Sequence, residues 1–547
     1  MTLRALPQPR PCAFAIIRCA KQREEHVQSM PLDKIAPNVG ILGYALFLAV
    51  NATGIWGGVF PFLPMSLQTH EVMFWFYLSQ SVALFVTLFL LARASYIKHR
   101  LALTSLILIA AFLYAIGWAC LVAAMYLHGF ELALSIAGGI ALGAGSAHFY
   151  LLWQQFFAAS DPEEGMRDLI CGFAYSAVIY FALYLLPHAV TAYLIPLVFA
   201  PLFTLALILS NRRIDFSQPM FEDKPSENVR VYRRFVTASW RSMLAVGTIA
   251  FCAGVVRSIA IEQPEIGTIV NVLSMFALLA VALLVIFLWS RKGLRLNIMK
   301  LYRIVFPLLI VAFALLPFAN ISYTRFLAAA LFALYSIGLM LAMMQCAQIS
   351  RDNGIAPRFA FGLFGGVVYA MHDVGFLVGT GSDYLSSQGL PVLFIAALLA
   401  VSILSLMFFF GSIDFKNARS QLICGDIQLI APVSATAETN SVHNDEQAAG
   451  NRPASKPRSE SVGSEKMHNR GAFNDRLSLK VSAAQQAYGL SDRETEVTDY
   501  VVRGYTVARI AEQLYVSENT VRTHMKRIYA KCDVHKKQEL IDLVEAR

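Results

Sequence analysis

Charge is scarce in this sequence. Asp, Glu, Lys and Arg make up 15% of the 547 residues, where a soluble domain carries about 25%. With 57% hydrophobic residues and a mean hydropathy of +0.55, water cannot be the solvent for most of the surface. The eight cysteines (Cys12, Cys19, Cys120, Cys171, Cys252, Cys346, Cys424, Cys532) are widely spaced and none forms a CxxC pair, which fits reduced thiols and no zinc site or disulfide framework. A nucleophile–base pairing and a phosphate loop are also missing. Gly143-Ala144-Gly145 lies inside an apolar run with no strand before it, so it is not a dinucleotide fingerprint. Neither an enzyme nor a bound cofactor or metal is expected. A secretory leader is lacking too, since Arg18 cuts the short apolar run 13–17. Met30, just before the first long apolar run, is a plausible alternative start.

What is present is apolar length. A helical span needs about 20 mostly apolar residues, and twelve such runs occur: 39–60, 72–92, 102–125, 132–156, 169–187, 190–210, 243–261, 267–289, 302–318, 325–347, 361–383 and 391–412. They divide six and six around a polar central loop. The expected organisation is a tail (1–38), six helices (39–210), a loop (211–242), six more helices (243–412), a flexible linker (413–477) and a small domain (478–547). Alternate loops and the first 38 residues hold 24 Lys and Arg, and the loops on the opposite side hold Arg325 alone. That asymmetry puts both termini in the cytoplasm, with the net charge of +9 mostly a topology signal.

Ionisable groups at membrane depth are costly and therefore point to function. His148, Arg257, His372 and Asp373 fall inside apolar runs. Together they form a candidate ligand pocket, with Arg257 suited to an anion and Asp373 able to pair with it across helices. A carboxylate relay of the kind that drives proton coupling is not visible. Small residues four apart (Gly139 and Gly143; Gly362 and Gly366; Gly375 and Gly379) are expected to let helices pack closely within the bundle. Twelve spans in two halves resemble the major facilitator superfamily, which implies its fold over residues 39–412. The loop between spans two and three reads Leu91-Ala92-Arg93-Ala94-Ser95-Tyr96-Ile97-Lys98-His99-Arg100 and lacks the Gly and Asp of that family's motif, so transport does not follow from the likeness.

Residues 431–475 are poor in large apolar side chains and cannot bury enough surface to fold. A flexible linker of ~65 residues has an end-to-end distance of roughly 45 Å. Beyond it the pattern becomes helical. Ser491-Asp492-Arg493-Glu494 reads as a capping box and Val497, Tyr500 and Val501 continue one apolar face. Arg503-Gly504 stops that helix, Thr506 caps a short second one, and Ser517 caps a third whose stripe is Val521, Met525, Ile528 and Cys532. Residues 537–545 supply a fourth. Two short helices, a turn and a longer third helix read as helix-turn-helix.

Residues 486–547 hold ten basic and ten acidic side chains, but the third helix concentrates the positive ones. Arg522 and Lys526 lie four apart beside Thr523, away from the apolar stripe, as major-groove reading requires. The runs 490–497, 516–524 and 528–531 closely resemble the LuxR-type DNA-binding domain. That likeness implies base reading by Arg522, Thr523 and Lys526. It implies phosphate contacts from Ser517, Thr520, His524, Arg527 and Lys531, and dimerisation through the fourth helix. Asp533 stands where that family more often has Gly, and Thr498 where Leu is common. The expected fold class is therefore all-α: a polytopic twelve-helix bundle plus a four-helix LuxR-type domain. The expected function is a membrane-tethered, one-component bacterial transcription regulator of the inner membrane. Its partners would be double-stranded DNA, the lipid bilayer, an unknown small molecule and, on DNA, a second copy. The alternative is a secondary transporter with an appended regulatory domain.

Overall fold

A computed structural model describes residues 36–52, 69–97, 103–412, 427–429 and 476–545, apart from positions 215, 217, 223–224, 226–227, 263, 292–293, 319, 388–391, 504, 506, 508–509, 512–513 and 515. Nearly all of the tail and of the expected linker therefore lies outside the described residues, as do Gly504 and Thr506.

The bundle runs α1 (Val39–Ala52), α2 (His70–Ile97), α3 (Leu103–Ala124), α4 (Glu131–Ala159), α5 (Pro162–Tyr184), α6 (His188–Leu194) and α7 (Ala200–Asn211) in the first half. After the short α8 (Pro219–Glu222) come α9 (Val229–Glu262), α10 (Pro264–Arg291), α11 (Ile298–Leu315), α12 (Ile321–Asn353), α13 (Pro357–Ser387) and α14 (Val392–Ser412). Among the described residues ten helices are long and apolar enough to cross a membrane, and Val39–Asn51 and Leu398–Phe409 form shorter apolar helices where the first and twelfth spans were expected. The sixth span is α6 and α7 joined by a π-helical turn, Ile195–Phe199. Pro196 and Pro201 explain the join, because neither can donate the backbone hydrogen bond a regular helix needs there.

Two features depart from the expected outline. The seventh span begins at Val229 rather than near 243. Its added turns belong to the polar central loop, where Tyr232 Oη accepts from the Ala356 amide at 3.1 Å and Tyr232 packs edge-on against Phe359 at 4.8 Å. The chain is also not wholly helical: β1 (Leu294–Leu296) pairs antiparallel with β2 (Ile427–Leu429). That three-residue ribbon ties a piece of the expected linker back to the bundle.

Glycines set how closely the helices approach. An added Cβ at Gly254 of α9 would meet the His372 carbonyl, and at Gly375 of α13 the Phe251 carbonyl. On α4, an added Cβ would meet the Gln80 carbonyl of α2 at Gly143, and the Ser79 hydroxyl and Phe76 carbonyl at Gly139. Side chains here would force the helices apart.

At one end of the bundle the two halves are tied by hydrogen bonds. Gln154 Nε2 donates to the Met343 carbonyl at 3.1 Å and Arg358 Nε to Gln155 Oε1 at 2.8 Å. Arg351 donates from Nη2 to the Phe157 carbonyl at 3.0 Å and from Nε to the Ala158 carbonyl at 3.2 Å. Those carbonyls end α4, where helical partners run out and the helix dipole is negative, so a guanidinium satisfies both needs.

The C-terminal domain has its own core, built from α15 (Arg476–Tyr488), α16 (Asp492–Val502), α17 (Glu518–Cys532) and α18 (Lys537–Glu545). Val497, Val501, Val521, Ile528, Leu540 and Val544 are among its buried side chains. The second helix of the motif survives as helical positions Val507, Ile510 and Ala511, the last two buried. α15 precedes the helices foreseen for this domain and contributes Val481 and Ala484 to the core.

Candidate nucleic-acid interface and membrane cavity

The capping box at the start of α16 forms as its sequence indicates. Glu494 N–H donates to Ser491 Oγ at 3.3 Å, and Ser491 N–H to Glu494 Oε2 at 2.9 Å. Glu494 also takes Lys531 Nζ at 2.7 Å. That ammonium, with the Ser491 N–H and hydroxyl behind it, holds the carboxyl below the usual carboxylate range. Lys531 reaches the Gly489 carbonyl as well, at 2.8 Å. It therefore clamps the end of α17 to the start of α16, a role additional to the phosphate contact its position implies.

Ser517 caps α17, accepting from the Thr520 N–H at 3.1 Å. With Val521, Ile528 and Cys532 turned inward, Arg522, Thr523, Lys526 and Arg527 stand exposed on the opposite side. Arg522 is steadied by Glu518 one turn earlier at 2.8 Å, and Thr523 Oγ1 donates back to the Asn519 carbonyl at 2.9 Å. Ser517 is exposed, Thr520 and His524 half-buried. The basic face is thus free of the domain's own core. Arg503, paired with Asp499 at 2.9 Å, donates from Nη1 to the Arg351 carbonyl at 3.3 Å. The domain therefore meets the bundle at the residue that ties its halves.

Inside the bundle, three of the four ionisable residues converge. Arg257, His372 and Asp373 line one cavity with Tyr77, Ser81 and Tyr335, together with Gln80, Leu84, Tyr369 and Phe376. The Arg257 guanidinium lies over the Tyr77 ring, 4.2 Å from its centre, a cation–π contact. Ser81 Oγ donates to Asp373 Oδ1, and His372 Nδ1 is 3.4 Å from the same oxygen. His372 stacks on Tyr335 at 5.7 Å. His148 does not join them: its Nδ1 lies 2.8 Å from the Ala144 carbonyl one turn earlier and it is absent from the cavity wall. The tyrosines were not foreseen, because in an apolar run they read as ordinary core. Ser81 and Gln80, polar and adjacent in α2, were the available signal.

Residues 489–544 match the family model "Bacterial regulatory proteins, luxR family". A putative transcriptional regulator of Pseudomonas aeruginosa is 44% identical over 59 residues, which are 11% of this chain and 28% of that protein. The probable transcriptional regulatory protein NarL of Mycobacterium tuberculosis is 41% identical over 56 residues, 10% of this chain and 26% of that one. The chain thus spans about a quarter of the length of the curated relatives it matches. Among solved structures, it is similar to the fucose:proton symporter FucP of E. coli (14% identity, TM-score 0.43, 68% of this chain and 97% of that one). It is also similar to the human organic anion transporter MFSD10 (13% identity, TM-score 0.45, 70% and 100%). The chain is a polytopic membrane protein by its long apolar helices, and its residues 489–544 match the luxR family of bacterial regulatory proteins.

Proposed function

We propose that the protein is a membrane-tethered, one-component transcription regulator. The exposed Arg522, Thr523 and Lys526 read DNA bases, with Ser517, Thr520, His524, Arg527 and Lys531 near the phosphates and α18 pairing two copies. The bundle is the input. A small molecule in the cavity beside Arg257, His372 and Asp373 biases the arrangement of the two halves, and the C-terminal domain carries that bias to DNA. Both termini lie in the cytoplasm, on the side rich in Lys and Arg. The observation that carries the reading is one chain joining a luxR-type domain to a bundle with a polar cavity.

Genome-wide DNA occupancy of the full-length protein in its host tests it, against the double variant Arg522→Ala/Lys526→Ala. Discrete peaks that vanish in the variant are expected. In binding assays Arg522→Ala should cost about 1–3 kcal/mol and relax sequence preference; equal loss on cognate and scrambled DNA would remove its base-reading role. The same cavity also suits a secondary transporter with an appended regulatory domain. Substrate uptake in proteoliposomes, with no occupancy peaks in any growth condition, would favour that reading.

A further inference from the structure

The cavity constrains the chemistry of its occupant, an inference that rests on the sensing role proposed above. Asp373 is 4% exposed. One carboxylate oxygen, Oδ1, is engaged by Ser81, while Oδ2 is buried with no hydrogen-bond partner among the described residues. His372 Nε2 is in the same position, and His372 is also 4% exposed. A buried polar atom left unmatched is costly, so both atoms favour an occupant that pairs with them.

Charge narrows the class further. Among the described residues Arg257 is the one permanent cation of the wall and Asp373 the one carboxylate, and Arg257 already faces the Tyr77 ring. An occupant with a net charge would leave one buried charge uncompensated, which is strongly unfavourable. The remaining wall is largely aromatic: the stacked Tyr335–His372 pair, and Phe376, itself stacked on Phe74 at 5.6 Å. Such faces favour a flat ring.

We propose that the cavity binds a small ring compound of zero net charge that donates a hydrogen bond to Asp373 Oδ2, its ring against the Tyr335–His372 pair. This separates it from an organic anion held by Arg257.

The test is thermal unfolding of the purified full-length protein with five probes of similar size: benzyl alcohol, benzyl methyl ether, phenylalanine, benzoate and benzylamine. Benzyl alcohol, phenylalanine or both should stabilise at concentrations at least tenfold below those needed of the other three, and which of them binds tells a neutral compound from a zwitterion. In Asp373→Asn, Ser81 holds the amide oxygen and an N–H replaces Oδ2; alcohol and ether oxygens both accept from it, so the preference for alcohol over ether should disappear. Tightest binding of benzoate or benzylamine, or equal binding of alcohol and ether by the parent protein, overturns the ligand class while leaving a ligand-binding cavity. No shift with any probe overturns the ligand class too. DNA occupancy of Asp373→Asn then decides separately whether the cavity is the input: altered peaks keep the sensing role, and unchanged peaks end it.

Discussion

Asp533 carries the chain out of the reading helix in the left-handed region, at φ 51°, where its N–H donates to the Tyr529 carbonyl. Glycine has no Cβ cost there, and aspartate tolerates it better than most residues. Asp533→Gly should therefore stabilise the C-terminal domain by about 0.5–1 kcal/mol and Asp533→Val destabilise it by at least as much; urea titration of residues 476–547 measures both. Two residues earlier, the Lys531–Glu494 pair makes a pH prediction. The folded carboxyl titrates below the usual range, so its contribution is complete above the ordinary glutamate value near pH ~4.3 and is lost as pH falls through the lower folded value. Glu494→Gln keeps the capping geometry and removes the charge. It should cost about 1 kcal/mol at pH 7, and the difference from the parent should shrink as pH falls through the lowered folded value, read from the same titrations. A cost that does not change with pH would mean that packing, not the ion pair, makes the contribution.

At the scale of elements, the contact of α9 with α13 decides where Arg257 stands relative to Asp373. Gly254 and Gly375 each lie against backbone of the other helix, so the collision cannot be relieved by a side-chain rotation. Gly254→Val should lower the thermal midpoint in detergent, by about 1–3 kcal/mol or more of stability, and weaken any ligand bound in the cavity; Gly381→Ala, in open space, should leave both unchanged. What was legible in the sequence follows the range of the forces. The capping box at Ser491 and the stripe Val521, Ile528 and Cys532 depend on neighbours within four residues and were read correctly. The Gly375 and Gly379 spacing forecast close packing and the structure supplies it. The early start of α9 was not legible, since Arg230, Arg233 and Arg234 make that segment read as a loop until Tyr232 meets Ala356 and Phe359. The placement of His148 outside the cavity was equally hidden, because membrane depth alone does not say which way a helix is turned.

Across the whole molecule, Arg351 is where the parts meet. The sequence shows it as one loop cation among 24. Its hydrogen bonds span 193 and 194 positions to α4 and 152 to Arg503, and no local pattern announces contacts at that range. Its guanidinium holds the end of α4 against α12, and its carbonyl receives Arg503 of the C-terminal domain. A rearrangement of the halves that pulls α4 away from Arg351 would thus disturb the seat of that domain too. Arg351→Ala removes two charge-assisted bonds, each worth about 1.5–3 kcal/mol. Amide hydrogen exchange in the last turn of α4 should accelerate at least tenfold, and exchange around Asp499–Arg503 should rise with it. Arg351→Lys, which offers a point charge in place of a fork, should fall between parent and alanine variant. If α4 loosens while 499–503 keeps its protection, the bundle and the C-terminal domain move independently, and on the regulator reading proposed above this contact is not the route between them.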